Sequence, residues 1–563
     1  MLTFGSNLYS IENQIEKADN YLDEKSEVYL SISKEQLSNE LLHILSVDYF
    51  DDDIVFVYAN KRSFTALTEK GISFNVEKHP GEVDFCLNMK CIDGLSDPDT
   101  RNNWDYYPTY DAYVDMMYQF EEDFPEMVEI YNIGSTVMGR DMLFARITSD
   151  IILEEPKPMF MYTSTMHGDE TAGFVFMLRL IDHFLNNYGV LDEITDILDN
   201  MEIWISPNEN PDGTYTNDNS SVYGATRGNA NGIDLNRNYP NPVSSHSSQE
   251  QETLAMMHFV SDKNFVMSAN IHGGIELVNY PFDSWTSSAK KHADHDWFYF
   301  VSREYADTAQ YYSPAGYMTA YGGVTHGGDW YVVYGSRQDY MNYYRSTREV
   351  TLELSNEKLL EPTLLPTYWD YNYRSLINYI KQANYGIQGV VTDIETGEPV
   401  PARLTVVGHD SNNSEVYACS AYGFFARPIK AGVYNLRFSM EGYDSATISD
   451  VSIQDYESTW LEVEMQAWPV SIYETDTAFD IVVAPNPVDN NSSVIIKGAE
   501  GFMLNLYLFN IAGDLLEKLY SGSVSTDNKS IELSGFYTKA TPGVYFIKAD
   551  TNIGSKVVKV LVF

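Results

Sequence analysis

At 563 residues, with 44% hydrophobic and 14% aromatic side chains, the chain has material for about three or four domains with large buried cores. A formal charge of −45 argues against nucleic acid or an anionic membrane as partner, and suits cationic peptides. No apolar run approaches ~18 residues, so no transmembrane helix is expected.

Three cysteines (Cys86, Cys91, Cys419) cannot build a disulfide framework; Cys86 and Cys91 are either a pair or two free thiols. The N-terminal MLTFGSNLYS lacks a basic region leading into an apolar core. It does not read as a signal peptide, which leaves a cytosolic protein or a missing true start. Over residues 26–79, Glu27–Ser33, Ile54–Tyr58 and Ile72–Val76 read as strands. Lys34–Leu45 and Lys61–Lys70 read as helices, making a small α/β unit. Asp93–Trp104, rich in turn formers and charge, is a boundary.

From Tyr107 to about Asn384, helical periodicity over Tyr110–Phe120, Gly173–Asn187, Gln251–Val260 and Leu365–Lys381 alternates with β-rich runs. Those runs are Ile130–Gly134, Met142–Ile147, Met159–Tyr162, Glu202–Ser206, Phe265–Ile271 and Glu349–Glu353. The alternation predicts an α/β domain, a mixed sheet with helices on both faces. After Tyr385 only short alternating segments remain (Gly389–Val391, Arg403–Val407, Val433–Phe438, Leu461–Met465), which read as a small β-sandwich. A second all-β block follows over 480–563, with strands at Ser493–Lys497, Met503–Leu508, Ser530–Leu533, Val544–Lys548 and Lys556–Val562. Its seven lysines and eight acidic residues give it a net charge of −1, against −44 for the rest of the chain.

The chemistry concentrates at Tyr162–Gly173, YTSTMHGDETAG, where an apolar strand runs into His167 and Glu170 and then a helical pattern. A His and a Glu three apart at such a junction can share one metal ion; a surface His beside a helix-starting acid is the bland alternative. Catalytic zinc takes a third protein ligand and keeps one position for water. His272, at the end of Phe265–Ile271, projects from a strand terminus where α/β sheets build sites. In Arg227–Tyr239 (RGNANGIDLNRNY) two arginines are either loop ion-pair partners or grips for a carboxylate. Glu353, within EVTLELS, is either a solvent-facing strand residue or a general base. The run His292–Ala293–Asp294–His295 invites a second-metal reading, but solvated loop histidines are the stronger one.

The ordered blocks HGDE (167–170), PNENPDG (207–213), RGNANGIDLNRNYP (227–240), IHGGIELVNYPFD (271–283) and TLELS (351–355) resemble the zinc metallocarboxypeptidases, in the branch of carboxypeptidases E, N, D and M. The resemblance spans roughly 105–385. It implies one zinc ion per chain on His167, Glu170 and His272, with Arg227 polarising the scissile carbonyl and Glu353 as the catalytic base. It further implies that Asn236 and Arg237 hold the substrate's terminal carboxylate and that Tyr331 caps it. Asp283 and Gln338 fall at positions lining the pocket for the last side chain, and an acid at the former goes with Lys or Arg. Tyr334–Gly335–Ser336 stands where the family has a Pro-Gly-Gly turn.

Residues 386–467 resemble the transthyretin-like, carboxypeptidase regulatory-type sandwich, through GVVTDIETGEPVP, YGFF and AGVYNLRFSMEGY. Residues 480–563 resemble the C-terminal sorting domain of the type IX secretion system, through APNPV, LYLFNIAGDLL and PGVYFIK. The expected organisation is thus a pro-segment-like region and linker (1–103), a catalytic domain (104–385), a regulatory-type sandwich (386–467), a linker (468–479) and a sorting domain (480–563). Export follows from the last of these, with type IX machinery as partner and a signal peptide missing from this chain. The expected activity is cleavage of the last peptide bond of peptides or proteins with basic C-termini. Competing readings are an amide hydrolase of the same fold acting on acyl-amino acids, and a surface binding protein on an inactive peptidase scaffold.

Overall fold

The computed structural model describes residues 3–562 apart from 39–40, 42–43, 92–102, 244–247, 469–478, 512, 539 and 553. The chain divides into two compact units, Met1–Gln466 and Ala467–Phe563. In the first, a helix Thr3–Lys25 precedes β1 (Glu27–Ser33), β2 (Ser46–Asp51), β3 (Ile54–Asn60), a helix Lys61–Glu69 and β4 (Phe74–Val76). The four strands form one sheet in the order β2-β3-β1-β4. Asn60 caps the Lys61–Glu69 helix by accepting from the Ser63 amide, which satisfies a donor the first helical turn leaves unpaired.

Of the helix expected over Lys34–Leu45, Lys34–Gln36 form a 3-10 turn and Leu41 is helical, its carbonyl accepting the Leu45 amide at 2.9 Å. Residues 39–40 and 42–43 lie outside the described residues, and Ser46–Asp51 then forms the unanticipated strand β2. In β2 the pairing with β3 shifts register between Val47 and Tyr49, so that Ser46 and Val47 are buried while beyond the shift Asp48 and Phe50 are half-buried and Tyr49 and Asp51 exposed, as suits an edge strand. The boundary expected over Asp93–Trp104 lies outside the described residues except for its last two.

A short ladder of β5 (Met89–Lys90) with β6 (Tyr107–Pro108) leads into the principal sheet. That sheet holds β7 (Val128–Ser135), β8 (Asp141–Ile147), β9 (Met159–Ser164), β10 (Glu202–Ser206), β11 (Phe265–His272), β12 (Ile275–Tyr280), β13 (Val324–His326) and β14 (Arg348–Ser355). Their order is β13-β12-β14-β11-β9-β10-β8-β7, with β10, β9, β11 and β14 mutually parallel and antiparallel partners outside them. The central strands are buried along their whole length, which is why they read as apolar runs.

Side chains alternate between two cores. Phe160, Tyr162, Ile203 and Ile205 join the helices Tyr110–Asp123, Ala172–Asn187, His295–Tyr311 and Leu365–Lys381 on one face. Met161 and Trp204 pack with Gln251–Ser261 and Arg337–Tyr344 on the other. This is the α/β sheet covered on both faces that the pattern anticipated.

From Gly386 to Met465 two small sheets of three and four strands face each other over a core of Ile387, Leu404, Phe425, Phe438 and Val463. In the second unit, sheets of three and four strands enclose Val494, Ile496, Leu504, Leu506, Ile547 and Val560. Both are sandwiches. Cys86, Cys91 and Cys419 are free thiols.

Candidate active site

Three parallel strands deliver the site. β9 ends at Ser164, and Thr165 turns in the left-handed region at φ 60°, so the next residues fold back over the strand ends before the helix Ala172–Asn187 begins. His167 and Glu170 lie on that turn, and His272 closes β11. Gly168 and Gly173 admit neighbours where a side chain could not fit: a Cβ on Gly168 would meet the Gly213 backbone at 2.2 Å, and one on Gly173 would meet Ser164 Oγ at 2.2 Å.

The His167 and His272 Nδ1 atoms approach to 2.9 Å, and the Glu170 carboxylate lies 3.0 Å from the first and 2.7 Å from the second. Among the described residues this is the group of His, Cys, Asp and Glu with ligand atoms close enough to hold a metal. The chemistry of the donors fits a divalent cation: lone-pair acceptors converge with too few protons to pair them. Ligands at zinc bond lengths stand roughly 3.3 Å apart in a tetrahedron, so the triangle needs to open by only a few tenths of an ångström.

The surrounding groups orient these ligands. His167 Nε2 lies 2.9 Å from Asp234 Oδ1, which fixes the ring and directs Nδ1 inward. Glu170 Oε1 accepts from Arg227 Nη1 at 3.0 Å and Lys358 Nζ at 2.7 Å. Burial opposes ionisation of Glu170, but His167, Lys358 and His272 outweigh it and hold the carboxyl well below its usual range. Burial pushes His272 down to about 4, a neutral imidazole suited to ligation, and its buried Nε2 has no hydrogen-bond partner.

Glu353 stands on β14 directly beside His272 on β11. Its Oε2 is buried without a partner, and burial followed by repulsion from Glu170 raises its carboxyl well above the usual range. A buried carboxyl with a free oxygen beside a metal group is built to take and return a proton.

A cavity of about 300 Å³ opens from this group. Its walls include Arg227, Asn236, Arg237, Tyr331, Asp283 and Glu353, so these residues, scattered across the sequence, converge on one space. Asn236 Oδ1 accepts from the Arg337 amide at 2.9 Å, which sets its side chain, and Arg237 Nη1 donates to the Asn236 carbonyl. Asp283 Oδ1 accepts from Asn279 Nδ2 at 3.1 Å and Gln338 Nε2 at 2.9 Å. Gln338 is therefore one layer behind the wall, acting through Asp283. Gly327 makes room: a Cβ there would stand 1.9 Å from Asp283 Oδ1.

The motif reading missed Asp234, which holds His167, and Lys358 and Asn279, which line the cavity and hold Glu170 and Asp283. It also missed β2, whose Asp48, Tyr49 and Phe50 line the same cavity. Asp48 lies 2.9 Å from Lys358 Nζ, and Arg227 Nε donates to Ser46 Oγ at 2.7 Å. Neither the second-metal reading of His292–His295 nor the preferred reading of solvated loop histidines holds for His292, which is buried. His292 Nδ1 accepts from the Asp294 amide, and Asp294 is bound by Arg348 and Arg427.

Comparison with known proteins agrees with this geometry. The zinc carboxypeptidase model matches residues 113–375, and the carboxypeptidase regulatory-like domain model matches 386–466. Carboxypeptidase M of Mus musculus is 32% identical over 342 residues, covering 58% of this chain and 76% of that protein. Carboxypeptidase D of Homo sapiens is 32% identical over 344 residues, and there the match spans only 25% of the relative's length. Carboxypeptidase A from Helicoverpa armigera superimposes with a TM-score of 0.48 at 16% identity, covering 64% of this chain and 98% of that structure. With a matching family model over the domain that carries the His-Glu-His group, and three quarters of carboxypeptidase M aligned, the chain belongs to the zinc carboxypeptidase family.

Proposed function

We propose that the chain is an exported metallocarboxypeptidase that removes a C-terminal lysine or arginine from peptides or proteins. The observation that carries the reading is Asp283: a buried carboxylate in the wall of the cavity that holds the His167–Glu170–His272 group. A cationic side chain pairs with it, whereas an apolar one leaves a desolvated acid unpaired. Sites built around one polar contact reject analogues lacking it by roughly 10⁴ in favourable cases.

Zinc, when bound, lowers the pKa of its water to near 7 and polarises the scissile carbonyl. Glu353 takes the proton from the attacking water and passes it to the leaving amine. Arg237 and Asn236 hold the terminal carboxylate with Tyr331 over it, so that only the last peptide bond reaches the reacting groups. Arg227 stabilises negative charge developing on the carbonyl oxygen.

Residues 1–103 act in this reading as a pro-segment. Support comes from β2: Asp48, Tyr49 and Phe50 stand in the cavity wall, and Glu27 accepts the amides of Arg227 and Gly228 at 2.6 and 2.7 Å. Full chain and a form beginning near Asn103 are to be compared on a short Arg-ended peptide. Faster turnover by the shorter form is expected, and equal rates make the N-terminal unit an accessory domain. Residues 480–563 serve as a type IX sorting domain, supported by their separate compact fold and near-neutral composition.

Mass spectrometry of peptides ending in each of the twenty residues, with a chelator control, tests the activity. Cleavage confined to Arg and Lys ends, lost with chelator and relaxed in Asp283→Ala, is expected. Equal cleavage of Phe-ended peptides rules Asp283 out as determinant. Cleavage of acyl-amino acids alone favours the amide-hydrolase reading.

A further inference from the structure

Tyr321 is a large aromatic side chain in the wall of the catalytic cavity, yet 62% of it is exposed. Its backbone is left-handed (φ 50°, ψ 28°), ahead of Gly322 and Gly323 at φ 73° and 94°. For a bulky residue this conformation is strained, and such strain persists only where the surroundings impose it. They do so here. Gln310 Nε2 donates to the Met318 carbonyl at 2.6 Å, the Met318 amide donates to Glu276 at 3.2 Å, the Gly322 amide donates to Thr319 at 2.9 Å, and Arg303 donates to the Gly322 carbonyl. The ring is thus carried on a tethered loop, while nothing about its own burial repays the strain.

Register locates it relative to the reacting groups. Leu277 of β12 is level with Glu353, and Ile275 with Ser355. β13 runs parallel to β12 with Val324 beside Val278, so the residues leading into Val324 lie along the beginning of β12, where Ile275 also lines the cavity. Asp283 follows the other end of β12, past Tyr280. Tyr321 and Asp283 therefore flank the Glu353–His272 row from opposite sides. If the terminal side chain occupies the Asp283 end, the rest of the peptide leaves across Glu353 toward Tyr321. Two strand residues, from Leu277 back to Ile275, span roughly 7 Å. That matches the reach from a scissile carbonyl to the side chain of the penultimate residue.

We propose that Tyr321 is a specificity-determining residue whose ring receives the penultimate side chain of the substrate, favouring an aromatic residue there over glycine. The inference rests on the carboxypeptidase reading above. An offset or edge-on ring contact predicts a preference of roughly three- to tenfold in kcat/KM.

The test uses the zinc-loaded full chain and a mixture of Arg-ended peptides that differ only in the penultimate residue, Phe or Gly. Competition in one tube reads the ratio of kcat/KM values regardless of how much of the chain is open. A Phe preference of roughly three- to tenfold is expected in wild type, retained in Tyr321→Phe and reduced to about one in Tyr321→Gly. The glycine variant is also expected to melt no lower than wild type, because glycine adopts positive φ freely. A ratio near one in wild type, or a ratio unchanged in Tyr321→Gly, overturns the assignment. A ratio unchanged while Tyr321→Gly alters only the rate difference between full and N-terminally shortened chains assigns Tyr321 to contact with the N-terminal unit instead. Absence of turnover on every Arg-ended peptide, by the zinc-loaded full chain and by the form beginning near Asn103 alike, removes the carboxypeptidase reading and this inference with it.

Discussion

Arg348 begins β14 and Glu353 stands near its end, so a single strand serves two buried ionic clusters of contrasting construction. Around Arg348, Asp294 accepts from both Arg348 and Arg427, with His409 Nε2 at 2.8 Å, and Arg427 also binds Asp410 at 2.7 Å. Burial pushes the Asp294 carboxyl up, but Arg427 and Arg348 outweigh it and hold it well below the usual range. Around Glu353 the balance is reversed. Burial and Glu170 push its carboxyl up, one of its oxygens has no partner, and imidazole nitrogens face each other and a carboxylate. Both clusters contain histidine and acid in a dry interior, and composition alone does not separate them. What separates them is charge balance. Arg348 and Arg427 face Asp294 and Asp410, with Arg427 Nε left unpaired, and join the catalytic domain to the regulatory-type sandwich. Around Glu353, by contrast, acids and imidazole nitrogens converge as acceptors for something still to be bound.

The largest expected effect breaks the open cluster. Glu353→Gln preserves size but can neither accept nor return a proton, so turnover on an Arg-ended peptide is expected to fall by roughly 10²–10⁴. Zinc content by atomic absorption should be unchanged, since Glu353 is not one of the three converging ligands. Near-normal turnover with metal bound would falsify its role as base.

The closed cluster should break in the opposite sense, losing stability and keeping metal. Asp294→Asn leaves two guanidinium groups, Arg348 and Arg427, buried without their shared counter-ion. Removing one partner of a buried ion pair costs about 3–5 kcal/mol. A clear drop in thermal midpoint is expected while zinc stoichiometry stays at the wild-type value. Loss of zinc at unchanged stability would contradict the contrast drawn between the two clusters.

Sequence periodicity located the elements that carry a strong pattern: Glu202–Ser206 and Leu365–Lys381 begin and end where the apolar spacing places them. It failed for β2, because residues ahead of it carry helix-compatible spacing and only pairing with β3 selects the extended form. It also left out β12 and the helix His295–Tyr311, in which polar and aromatic residues are interleaved. At the site, His167, Glu170, His272, Glu353 and Asp283 were legible from short motifs. Lys358 and Asp48 were not, because each acts through a contact made across hundreds of residues, with no local signature. Asp234 lay within a quoted motif, but a lone Asp beside asparagines and arginines says nothing of the imidazole it will orient.

The smallest expected effect concerns a pair of acids that falls between the two extremes. Asp339 accepts the amides of Asp283 and Ser284 at 2.8 Å each, so it props up the loop carrying Asp283. Burial, followed by repulsion from Asp283, pushes its carboxyl up to about 7, and burial raises Asp283 as well. Folding therefore strengthens proton binding at Asp339, and its contribution to stability is fully present below the unfolded carboxyl range and is lost as pH rises toward about 7. Substrate binding runs the other way, because a cationic side chain needs Asp283 ionised. The preference for an Arg-ended peptide over its neutral citrulline counterpart should rise with pH as the raised Asp283 carboxyl ionises and then level off, by at most about tenfold per pH unit. Taking the ratio of the two substrates cancels the titration of Glu353 and of bound water, which act on both alike. In Asp339→Asn only Asp283 is left to titrate, so any part of the pH dependence that comes from Asp339 should disappear. A wild-type ratio that does not change between about pH 5 and 8, where a carboxyl so raised titrates, would show that the two acids do not gate recognition together.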